Sequence, residues 1–147
     1  AFGRMENFGT TKMLLVKNPA GFTQTMHYIR TLEIQNLIFV LNDNPADGCD
    51  VSWIWDADIE IGENVENIYA FGIRSGDMAL RLKYEDIACK PAEDVEQAVQ
   101  ELSVNGTGNI YMIVNYSGLF PANQMLQKLQ SGTKKKQRKK KKGRQAR

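Results

Sequence analysis

Residues 36–41 read NLIFVL. Leu37, Ile38, Phe39, Val40 and Leu41 follow one another without the polar interruptions of a half-exposed strand or an amphipathic helix. Such a short run predicts a strand buried on both faces, as in the middle of a parallel sheet. Working outward, KMLLV (12–16), NIYAFGI (67–73), IAC (87–89) and NIYMIV (109–114) predict further strands. Helical patterns lie between them. Phe22, Met26, Ile29 and Leu32 have the spacing of one helix face. Ser75 predicts an N-cap for a helix to about Tyr84, with Met78, Leu80 and Leu82 inward. Val95, Ala98, Val99 and Leu102 mark a helix over 93–102, and a last helix spans 117–129 with Pro121 in its first turn.

This alternation predicts an α/β fold. Three layers are expected, with a mostly parallel sheet of five or six strands, helices on both faces and right-handed crossovers. In such sheets the functional loops gather at the carboxyl ends of the strands. The loops 17–21, 42–50, 73–76 and 115–117 should therefore share one edge. Residues 1–10 read as a linker or first edge segment, 11–130 as the domain, and 131–147 as a disordered basic tail.

Composition bounds the function. The chain has 147 residues, 42% of them apolar, which suits one domain with its own core. No apolar run approaches the roughly 18 residues of a membrane-spanning helix, and no signal peptide is visible. The chain opens on Ala1, which reads as an excised or processed domain. Cys49 and Cys89 are far apart and in unlike contexts, so a disulfide scaffold is not expected and a reducing compartment is. The net charge of +2 hides a split: residues 134–147 carry ten Lys or Arg and no acid, whereas residues 1–133 carry nine against seventeen Asp or Glu. A like-charged run has nothing to bury and repels itself, hence the expected disorder. Its attraction would be to phosphate, non-specifically, in nucleic acid or anionic lipid.

The loops carry the chemistry. NDNPADGCDVSWIWD (42–56) crowds four carboxylates, a cysteine and two tryptophans together. One reading is a capped turn: Asp50 as the N-cap of a short helix, with Trp53 and Trp55 packed under the sheet edge. The other is that one rigidly held carboxylate orients a histidine by accepting its Nδ1–H. The one histidine, His27, lies in a predicted helix, so an internal Cys49–His27–Asp50 arrangement is a minor reading. Asp43, Asp47 and Asp50 do not have calcium-loop spacing, and no metal site is expected. KNPAG (17–21) is not a phosphate-binding P-loop, and nothing else in the chain is one. Lys17 could still meet an anion there. Arg74 and Ser75 open a helix N-terminus, where an anion could also bind.

Five stretches also carry a resemblance: GRMENF (3–8), VKNPAGF (16–22), LNDNPADGCDVSWIWDADIE (41–60), IRSGDMALRLKYEDI (73–87) and NYSGLFP (115–121). In this order they resemble the C-terminal domain of the MurT family, Mur-ligase-like synthetase subunits of lipid II isoglutaminyl synthase. The D-G-x-D-V-S-W-x-W-D block at 47–56 is the most specific part. The resemblance implies a Rossmann-like domain that docks GatD, a glutaminase subunit, in a cytoplasmic complex at the inner face of the membrane. It implies that Asp50 completes the partner's Cys-His-Asp triad, and that ATP and Mg are held by a central domain not in this chain. The isolated domain would then be inactive, and lipid II would be the substrate of the full complex. Asp47, Cys49 and Trp53 would face the partner, and Lys17 and Asn18 align with a loop on the substrate side. Position 49 is Cys where the family usually shows Arg, and the basic tail is outside the family pattern. Two other readings are a stand-alone ligand-binding Mur-type domain and a nucleic-acid-associated protein acting through the tail.

Overall fold

A computed structural model describes residues 5–45, 49–105 and 108–145. Five strands form one sheet: β1 (Met5–Phe8), β2 (Thr11–Leu15), β3 (Asn36–Val40), β4 (Asn67–Phe71) and β5 (Ile110–Val114), in the order β1-β2-β5-β3-β4. β1 pairs antiparallel with β2, with Met5 opposite Leu14, and every other pairing is parallel. β1, over Met5–Phe8, is thus an edge strand of the sheet. β3 and β5 have all five residues buried.

The two-residue alternation of these strands builds a core on each face. Leu37, Phe39, Tyr111, Ile113, Leu14 and Ile68 point to one side. There they meet Phe22, Met26 and Ile29 of α1 (Pro19–Arg30) and Met78 and Leu82 of α2 (Ser75–Lys83). Ile38, Val40, Met112, Val114 and Met13 point to the other. They meet Ala98, Val99 and Leu102 of α3 (Val95–Val104) and Ala122 and Leu126 of α4 (Tyr116–Gln145). This is the expected three-layer α/β architecture with helices on both faces.

Four details differ from the sequence expectations. Residues 87–89 form no strand: Lys90 N–H donates to Ile68 O at 2.8 Å, but one backbone bond does not make a ladder. Ser75 is the first residue of α2 rather than its cap; Arg74 holds the cap position without a side-chain bond. Leu80 is exposed, because on a helix it lies about 200° around from both Met78 and Leu82. The stretch expected to be disordered continues α4 to Gln145, with residues 131–145 exposed. Lys, Arg and Gln are good helix formers, and here they extend a helix already nucleated by its packed part, so the costly first turn is not required again.

Candidate functional site

The carboxyl ends of the parallel strands carry the site, and asparagines lock their loops together. Asn42 N–H donates to Asn115 Oδ1 at 3.1 Å, and Asn115 Nδ2 donates back to Asn42 O at 2.6 Å. Asn42 Oδ1 also accepts from Ile73 N–H at 2.8 Å. This joins the loops after β3, β4 and β5, as the shared-edge expectation requires. Pro121 has no N–H to give Ser117 O, four residues back, and Asn42 Nδ2 approaches that carbonyl at 3.5 Å. Gly72 lies against the same crossing. Its φ is +98°, and an added Cβ would sit 2.3 Å from Leu41 O, so only glycine fits without movement.

Beyond Asn42 the chain reaches the turn that presents Asp50. Ser52 N–H donates to Asp50 Oδ1 at 2.8 Å. A 3₁₀ turn follows over Ser52–Asp56. Asp50 therefore caps one residue ahead of the cap position, which Val51 occupies without a side-chain bond. Its carboxyl is exposed and held below its ordinary value of 3.8, chiefly by the Ser52 backbone N–H, then by the Ser52 side chain, with the Arg74 charge adding less. Cys49, just before it, is exposed and takes a left-handed φ of 57°. Asp47 lies outside the described residues.

The tryptophans do different work. Trp53 packs edge-on against Phe22 at 5.9 Å between ring centres and joins the core. Trp55 is 42% exposed rather than packed under the sheet, and meets Tyr84 edge-on at 5.1 Å. The fully buried anchor is Ile54, between them. The turn's back is held by a residue that sequence reasoning missed, Arg81 of α2. It is buried, donating from Nε to Ile54 O at 3.1 Å and from Nη2 to Ala57 O at 2.9 Å. Its Nη1 pairs with Glu85 at 2.8 Å, and its guanidinium lies 5.5 Å from the Trp55 ring centre. The signal was present but faint: an arginine on the inward stripe of an amphipathic helix, one residue before Leu82, needs buried acceptors.

The other candidates are spread along the edge. Asn18 is the N-cap of α1, its side chain accepting from Gly21 N–H at 2.8 Å, and Lys17 beside it is exposed. Arg74 lies 3.6 Å from Asp43. Its Nε is 2.9 Å from Asp77, close enough for an ion pair but at an angle that leaves the N–H without a proper acceptor. An incoming anion at Arg74 would compete with both carboxylates. His27 pairs with Asp58 at 3.5 Å on the outer surface of α1. Among the described residues no three His, Cys, Asp or Glu are placed to hold a metal ion. No helix among them is long and apolar enough to cross a membrane.

The family model for the MurT ligase C-terminal domain matches residues 15–119, from the end of β2 into the start of α4. The chain belongs to the MurT C-terminal family. It is 32% identical over 138 residues to the lipid II isoglutaminyl synthase (glutamine-hydrolyzing) subunit MurT of Streptococcus pneumoniae (strain ATCC BAA-255 / R6), covering 85% of this chain. It is 33% identical over 133 residues to the subunit of that name from Staphylococcus aureus (strain COL), covering 84%. It spans only 30% of the length of each of these curated relatives. The family-model match stops within the packed start of α4, so the basic extension lies outside that model.

Proposed function

We propose that this MurT C-terminal domain docks a glutaminase subunit and lends it Asp50 as the third member of a Cys-His-Asp triad. In the full complex, glutamine-derived ammonia would amidate the D-glutamate carboxylate of the lipid II stem peptide. ATP and Mg would act in the remainder of a longer protein, and the domain alone would be inactive. The complex would work in the cytoplasm, at the inner face of the membrane where its lipid-linked substrate lies.

The observation that carries the triad reading is the exposed, ionised Asp50 at the carboxyl edge, fixed by Ser52 from the front and backed by a turn that Arg81 holds. A carboxylate has about four acceptor positions, so the contacts with Ser52 leave capacity for an imidazole N–H. Its depressed pKa keeps it charged at neutral pH, as stabilising an imidazolium requires. Docking has its own support. Ile73 and Phe120 are each 69% exposed, and Tyr116 is 54% exposed. All three follow the carboxyl ends of β4 and β5, on the Asp50 edge. An apolar set beside a fixed charge is a usual core for a protein–protein contact. Lys17, Asn18 and Arg74 would flank it on the substrate side, and Cys49 and Trp53 on the partner side.

The test is glutamine hydrolysis by a GatD-like glutaminase reconstituted with the full chain. Stimulation by the wild-type chain and its loss with Asp50→Asn, while the two proteins still co-purify, is the expected result. Wild-type activity with the Asn variant would remove the triad role. Failure to co-purify with the wild-type chain would remove the docking role.

A further inference from the structure

The basic extension of α4 stands apart from the packed body. α4 starts at the carboxyl edge directly after β5 and packs along β5, β2 and β1, so it runs back toward the amino edge. Its last residue packed on the core is Leu129. From Ser131 to Gln145 every side chain is exposed. At 1.5 Å per residue this arm extends about 22 Å past the body, from the edge opposite Asp50. Residues 134–145 hold nine Lys or Arg, with no acid and no aromatic residue. At 100° per residue those cations cover every side of the helix. There is thus no apolar face to insert into lipid and no ring on which a base could stack. What remains is a cationic rod fixed to a body whose residues 1–133 carry an eight-charge excess of acid.

We propose that this arm binds the surface of an anionic phospholipid bilayer and holds the acidic body off it. A planar negative surface attracts the rod and repels the body, so the charge split orients the molecule as well as binding it. Because the arm leaves the amino edge, contact with the membrane leaves the Asp50 edge open to a protein partner. The choice of a membrane over nucleic acid rests on the lipid II reading above, since a lipid-linked substrate places the reaction at a bilayer. The contact is peripheral, and salt screens it.

Co-sedimentation of the full chain with phosphatidylglycerol-containing vesicles tests this, with pure phosphatidylcholine vesicles as control. Binding to the first only is expected, with loss as salt is raised from about 0.1 to about 0.5 M. Each cation facing the surface contributes roughly fivefold, so replacing Lys139, Lys140, Lys141 and Lys142 by Gln should weaken partitioning at least about tenfold. Arg at the same four positions should restore it. A chain that stays in the supernatant with anionic vesicles overturns the proposal, as does a Gln variant that binds unchanged. Single-stranded RNA that strips the chain from vesicles at equal charge concentration would assign the arm to nucleic acid instead. Asp50→Asn should sediment as wild type, and the Gln variant should still stimulate the glutaminase, so failure of either reading is visible separately.

Discussion

The Asp50 turn and the basic arm are both dense in charge, yet the fold treats them in opposite ways. Between Asp50 and Ile61 the acids are interspersed with Val51, Ile54, Ala57 and Ile59, each buried, so the segment is bolted to the core at about every third residue. Between Lys134 and Gln145 nothing apolar is interleaved, and the side chains reach water all round. A charge run by itself therefore does not say whether a segment is placed. The apolar residues between the charges do, because their burial offsets the entropy of fixing the chain. A placed carboxylate can orient a catalytic group, whereas a rod of fully solvated cations serves as a diffuse field.

That contrast can be broken at several points. The largest expected effect is on Asp50. Asp50→Asn should lower kcat for glutamine hydrolysis in the reconstituted complex by about 10⁴, the loss seen when a triad carboxylate becomes an amide. The four Lys→Gln changes in the arm should leave that kcat within about twofold, as surface changes away from a site do. Next comes the support of the turn. Arg81→Met strips the donors from Ile54 O and Ala57 O, two carbonyls that the buried guanidinium serves. It should cost about 3 kcal/mol in urea unfolding and reduce glutaminase stimulation with Asp50 intact. Arg81→Lys should fail to rescue it, because one ammonium cannot reproduce the fork.

Gly72→Ala should cost about 2 kcal/mol, since it combines a positive φ with a Cβ forced against Leu41 O. It would also loosen the crossing at which Asn42 ties three loops together. Removing residues 131–147 should change the unfolding free energy by no more than about 0.5 kcal/mol, because the exposed arm adds nothing to the core. An arm whose loss destabilised the domain by several times that amount would not be the independent element inferred above. The smallest effect is electrostatic. Asp50's folded pKa is depressed, so its contribution to stability is present above the unfolded value of 3.8 and lost as pH falls through the folded one. A carboxyl titration followed by NMR should place its midpoint below 3.8, and Ser52→Ala should move it upward.

Much of the architecture was legible from periodicity alone. NLIFVL and NIYMIV have no polar face, and they are the two strands buried along their whole length on both sides. The helices announced themselves by their apolar stripes, and the family resemblance pointed to the 47–56 block. The errors came where a local pattern competes with neighbours it cannot see. Residues 87–89 look like a strand but find one backbone bond and no ladder. Ser75 looks like a cap, but the chain enters α2 from a loop pulled against Leu41 O by Arg74 N–H. The arm's composition alone predicts disorder, but the packed helix that precedes it carries the helical conformation on to Gln145.

What the sequence determined by itself is the order of elements and which face of each is apolar, because both follow from side-chain spacing along one segment. What only the tertiary structure decided is which groups meet across distance. Examples are the Asn42–Asn115 clamp between residues 73 positions apart, Arg81 beneath a turn 27 positions earlier, and the projection of the arm away from Asp50. Hydrogen bonds depend on angles and distances of a few ångströms, and those are set only when the two faces of the sheet have packed.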